Sequence, residues 1–153
     1  KGPTNTNGTN TNTTSIHKPQ TFKSDESGFS FQYSDDWQLS KPDDPNDNRI
    51  VVLSPRPAQG QPIVAGVDEF TIFESSKLMG EEFAARRAAE PSRIYSETTV
   101  GGKPARRSEN IQGIEGMFQE VLVDLGSKTM IIMASGKHLE TFDAVLKSFT
   151  FTS

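Results

Sequence analysis

From Phe22 onward, apolar side chains recur at every second position, the spacing of strands with one buried face. Phe29, Phe31 and Tyr33 alternate with Ser30 and Gln32, so their rings share a face, and after an Asp35-Asp36 turn the alternation resumes with Trp37 and Leu39. A loop rich in Pro, Asp and Asn over 41–48 leads to Ile50-Val51-Val52-Leu53, a continuous apolar run of the kind found in a strand buried on both faces. Pro55, Pro57, Gly60 and Pro62 mark a second loop, and strand character returns over 67–73.

The period then changes. The stretch GEEFAARRAAE predicts a helix over 80–90: Ala predominates in its body, Glu81 and Glu82 stand in the first turn where the macrodipole favours negative charge, and Pro91 ends it. Segments 93–100 and 103–111 are joined by Gly101-Gly102, a two-residue loop tolerant of the positive φ that tight hairpins require. Further strands over 117–125 and 128–135 follow across short Gly-containing turns, so these sequential strands predict an antiparallel meander. A second helix over 138–147 brings Leu139, Phe142, Val145, Leu146 and Phe149 to helical spacing, and Phe149-Thr150-Phe151 suffices for one edge strand. The core expected from these periodicities comprises Phe29, Phe31, Val51, Leu53, Phe70, Ile72, Phe83, Val121, Val123, Ile131, Phe142, Leu146 and Phe149. This succession predicts an α+β domain, a mostly antiparallel sheet with helices covering its faces.

The segments GFSFQYSDDW, GEEFAARR, TVGGKPA and ETFDAVLKSFTF, in that order, resemble the PsbP and Mog group, over residues 22–152. That group includes lumenal PsbP subunits of photosystem II, the Ran-binding Mog protein and many small bacterial exported proteins and lipoproteins. The resemblance implies an α-β-α sandwich with a central, mostly antiparallel sheet. It also implies a non-catalytic role, binding another protein or assisting assembly of a membrane complex. A lumenal photosystem II-associated subunit and a small-ligand or calcium-binding domain are the alternatives. The shared segments are packing and turn signatures, so they speak to fold more than to function.

Composition sets the N-terminus apart. Residues 1–20 hold six Thr and four Asn, with Ile16 as the one large aliphatic side chain, and cannot offset their own ordering entropy by burial. The expectation is a disordered tether over 1–20 and a single domain over 21–153. Because the chain starts with Lys, and bacterial lipoproteins use such polar tracts to hold a domain off a membrane, the tether is expected to be anchored through a lipidated Cys preceding Lys1, outside the cytoplasm. An interdomain linker is the plainer alternative.

The 153 residues suit one domain, and the absence of Cys excludes disulfides, thiolate catalysis and Cys-ligated metals. With two His, a three-histidine zinc site is excluded too. A net charge of −4 argues against nucleic acid as partner, since affinity there rests on Lys and Arg neutralising phosphates. The longest strongly apolar run, Met130 to Ala134, falls far short of the roughly 18 residues of a membrane span.

Candidate chemistry is sparse. Asp43, Asp44, Asn46 and Asp47 could offer oxygen ligands to calcium, the one cofactor considered; Asp44, Asn46 and Asn48 share the opening spacing of an EF-hand, but Arg49 replaces its turn glycine, and a solvated loop is the plainer reading. Arg86, Arg87 and Arg106 could form a partner-docking patch. Arg107 cannot join Arg106 there, because strand neighbours point to opposite faces. Among the aromatics, which read as core, Trp37 is the exception that could meet a partner, because its indole N–H needs an acceptor. Ser15 and Lys18 match SxxK formally but fall in the tether, and His138 with Glu140 could be a proton-transfer or zinc pair, a lone exposed loop His being the plainer reading. With no GxSxG, P-loop or HExxH, no enzyme activity is expected.

Overall fold

Residues 16–56, 69–114 and 116–152 are described by the computed structural model. The Thr/Asn tract up to Ser15, the loop prolines Pro57 and Pro62 with Gly60, and Val67 lie outside them. In chain order the elements are β1 (Pro19–Ser24), β2 (Phe29–Ser34), β3 (Trp37–Ser40), β4 (Arg49–Pro55), β5 (Phe70–Ser75), α1 (Met79–Ala89), β6 (Tyr95–Val100), β7 (Lys103–Ser108), β8 (Ile111–Gly113), β9 (Gly116–Asp124), β10 (Thr129–Ser135), a 3-10 turn at Gly136–His138, α2 (Leu139–Lys147) and β11 (Thr150–Phe151). The expected helices and strands are present with most ends shifted by a residue or two, but the strand expected over 67–73 runs Phe70–Ser75 and the one expected over 103–111 divides into β7 and β8.

Every strand pair is antiparallel, but the strands divide between two sheets. The long one runs β3-β4-β5-β10-β9-β7-β6, with β8 folded back on β9, and contains the expected meander. A smaller sheet, β1-β2-β11, holds the final strand at its edge. The Asp35-Asp36 turn carries the chain from one sheet to the other. Periodicity reports which face of a strand is buried and not which strand lies beside it, so the division was invisible in the sequence. The boundary drawn at residue 20 also moves: β1 begins at Pro19, and Pro19 pairs with Ser34, so Pro19 and Gln20 belong to the sheet.

The helices contact opposite faces of the long sheet. Arg106 pairs with Leu122 and Arg107 with Val121, so the two arginines point opposite ways. The Arg106 guanidinium lies 4.2 Å over Phe83 of α1, while that of Arg107 lies 5.2 Å over Phe142 of α2. On the α2 side, Val51, Leu53, Phe70, Ile72, Val121, Val123 and Phe142 are buried, as expected from their spacing. The smaller sheet adds an aromatic cluster there: Phe31 stacks on Phe149 at 5.2 Å, Phe29 on Phe149 at 5.7 Å, and Phe22 leans on Phe31 at 5.4 Å. Each such ring taken out of water contributes about 1.5–3 kcal/mol.

Three expected core positions are corrected to half-buried ones, Phe83, Ile131 and Leu146. In β10 the phase is one residue off, with Met130, Ile132 and Ala134 facing the core and Ile131 facing α1. A run apolar at every position carries no phase information. Phe83, midway along α1, is edge-on to Tyr95 at 5.3 Å and covered by the Arg106 guanidinium.

The two sheets also meet at Gly101. Gly101 and Gly102 have φ of +57° and +84°, as the tight β6–β7 hairpin requires, and a Cβ on Gly101 would stand 2.7 Å from the Phe151 ring of β11.

Candidate functional site

Arginine and carboxylate side chains converge where α1 crosses β9. Glu120 alternates into the α1 face and is 3% exposed. Its carboxylate accepts from Arg86 Nε at 2.8 and 3.1 Å and from the Tyr95 hydroxyl at 3.0 Å, with Arg93 Nη1 at 3.5 Å. One turn back on α1, Glu82 accepts from Arg86 Nη1 at 3.0 Å and from the Ser75 hydroxyl at 3.0 Å. Burial works against the Arg86 charge, but hydrogen bonds and the charges of Glu120 and Glu82 outweigh it and hold its pKa above the usual value. Burial, and then the Glu120 charge, push the Tyr95 phenol up, against the opposing pull of Arg93. These carboxylates and guanidiniums satisfy one another, as buried ions must. The cluster ties α1 to the sheet.

The expected arginine patch therefore does not assemble. Arg86 is spent inside this cluster, Arg87 is exposed and donates to the Arg93 carbonyl at 2.9 Å, and Arg106 covers Phe83. On the opposite face Arg107 bonds Gln119 at 2.8 Å and pairs with Asp143 of α2. Trp37 is corrected as well: it is 7% exposed, stacked on Phe70 at 4.7 Å and edge-on to His138 at 5.0 Å, so it supports the core and offers a partner little surface. Its ring edge borders a cavity of about 150 Å³ shared with Asp36, Thr141 and Val145.

The acidic loop is organised by its own hydrogen bonds. Asp44 Oδ1 accepts from the Asn46 backbone at 2.9 Å, and Asp47 grips Arg49 through both oxygens, Oδ1 from Nε at 3.0 Å and Oδ2 from Nη2 at 2.7 Å. That hydrogen bond to Arg49 holds the Asp47 carboxyl below its usual range. Among the described residues, the His and carboxylate groups that come within reach of one ion are instead His17, Asp35 and Asp36. Sequence reading missed this set because its members lie 18 positions apart and His17 fell in the segment read as tether.

The other feature beyond the reach of sequence patterns is an apolar end of the long sheet. Among the described residues the large apolar side chains left exposed are Leu78, Ile94, Ile114 and Met117. Leu78 stands at one end. The other three lie toward the opposite end: Ile94 just before β6, Met117 in β9, and Ile114 at the β8–β9 turn, where it is fully exposed. Ile94 lines a cleft of about 420 Å³ with Arg93, Glu109, Asn110, Ile111 and Gln112. Exposed apolar side chains at a turn offer surface that another protein can cover.

No family model and no curated protein matches this chain. Solved structures do. The solution structure of cyanobacterial PsbP (CyanoP) from Synechocystis sp. PCC 6803 superposes with a TM-score of 0.53 at 14% identity, covering 95% of this chain and 98% of that one. A crystal structure from Bacteroides thetaiotaomicron VPI-5482 at 1.50 Å superposes with a TM-score of 0.54 at 13% identity, covering 87% of this chain and 48% of that one. At such identities the likeness shows fold alone, and the fold is PsbP-like, α+β with antiparallel sheets.

Proposed function

We propose that this chain of PsbP-like fold is a non-catalytic binding domain, an α-β-α sandwich that docks on another protein or a membrane complex and assists its assembly outside the cytoplasm. The polar N-terminal tract would serve as its tether, and a lipid anchor preceding Lys1 would be its one link to the membrane. The observation that carries this reading is the exposed end of the long sheet. Folded domains bury most large apolar side chains, yet Ile114 and Met117 at the β8–β9 hairpin and Ile94 before β6 stay exposed toward this end.

Site-directed photo-crosslinking in the source organism, with the full-length protein, tests it. A crosslinking side chain at Ile114 is expected to yield one discrete protein adduct in the membrane or extracytoplasmic fraction, and the same group at Lys77, at the opposite end, is expected to yield none. Equal adducts from both positions, or a protein confined to the cytosol, would overturn it.

A further inference from the structure

The turn between β2 and β3 brings three metal-ligating side chains to one point. His17 Nδ1 lies 3.3 Å from Asp35 Oδ1 and 3.9 Å from Asp36 Oδ2, and the three donor atoms all fall within 4.8 Å of one another. Around an ion with bonds of about 2.0–2.2 Å, tetrahedral neighbours stand roughly 3.4 Å apart, so His17 and Asp35 already have the spacing of a shared ligand sphere and Asp36 needs only a small side-chain movement to join them.

The backbone holds them there. Lys18 adopts a φ of +44°, a left-handed kink rare for a residue with a Cβ, between His17 and the start of β1. The Asp35 N–H donates to the His17 carbonyl at 3.3 Å, which fixes the imidazole beside the turn. Ser34 Oγ accepts from the Asp36 N–H at 3.1 Å and donates to Asp36 Oδ2 at 3.2 Å, orienting that carboxylate. Arg56 braces the turn through main-chain oxygens, its Nε reaching the Asp35 carbonyl at 2.8 Å and its N–H the Asp36 carbonyl at 2.9 Å.

We propose that His17, Asp35 and Asp36 bind one divalent first-row transition-metal ion of the zinc class. His17 binds through Nδ1 and each aspartate through one oxygen. An imidazole nitrogen in the set selects zinc, nickel or cobalt over calcium and magnesium, which take oxygen ligands. Three protein ligands leave coordination positions free, and the neighbouring cavity of about 150 Å³, walled by Trp37, Thr141, Ala144 and Val145, has room for water or a small ligand on the bound ion. The proposal does not rest on the docking function, and either can fail without the other.

Titration of the full chain with zinc chloride in a calorimeter is the test, with the single Trp as fluorescence reporter beside the site and cobalt(II) absorption as an independent readout of the ligand set. One ion is expected per chain. His17→Ala and Asp36→Asn should each weaken binding at least tenfold, with an unchanged circular dichroism spectrum, while Asp44→Asn leaves it as it was. Zinc affinity in the millimolar range or weaker for the parent chain would overturn the proposal. So would zinc binding that survives both site variants, or calcium bound more tightly than zinc.

Discussion

Arg86 of α1 places its Nε 2.8 Å from Glu120 Oε1 of β9, joining elements 34 positions apart through a carboxylate that is 3% exposed. The same guanidinium holds Glu82 at 3.0 Å, so one side chain pairs with two carboxylates beneath the helix.

Removing it leaves both carboxylates short of a partner in a buried site. Arg86→Ala is therefore expected to destabilise the fold by about 3–5 kcal/mol in urea unfolding. Its neighbour Arg87 is exposed, and Arg87→Ala should stay within about 0.5 kcal/mol. Similar losses from both variants would contradict this account of the cluster.

Gly101 and Gly102 share a positive φ but not a neighbourhood. A Cβ at Gly102 meets open space, so Gly102→Ala should cost about 1–2 kcal/mol of left-handed strain. At Gly101 the same atom would strike the Phe151 ring and separate the two sheets, so Gly101→Ala should cost clearly more. Equilibrium unfolding of the two variants side by side measures the difference.

Phe142 is fully buried between α2 and the long sheet, 5.4 Å from Phe70. Phe142→Ala is expected to lose about 3–5 kcal/mol. Phe83→Ala, at a half-buried position, should lose less, and thermal unfolding of both variants ranks them.

Asp47 gives a pH signature. Its hydrogen bond from Arg49 keeps the folded carboxyl below the ordinary 3.8, so its contribution to stability is present above that value and is lost as pH falls through the folded pKa. Carboxylate NMR titration should place Asp47 below 3.8, and Arg49→Gln should return it upward. An Asp47 titration that does not move in the variant would show that Arg49 is not the cause.

Sequence patterns carried the elements because each rests on local physics. The Gly101-Gly102 hairpin needed positive φ at two positions, the helix over Met79–Ala89 needed Ala-rich sequence with acids at its start, and the alternation of Phe29 and Phe31 set one face of β2. Even the opposite orientations of Arg106 and Arg107 followed from the pleat of a single strand.

Tertiary structure decided what local physics leaves free. The phase of β10 was hidden in a run apolar on both faces, and the division into two sheets depended on which strands pair across the whole chain. Trp37 became a core residue because Phe70 and His138, 33 and 101 positions away, close around it. His17 met Asp35 and Asp36 because the pairing of β1 with β2 returns residue 17 to the turn that ends β2. Chemistry by residue type can be read along a chain, whereas the convergence of donors, and the choice of which apolar side chains stay uncovered, belong to contacts between distant segments that no local period encodes.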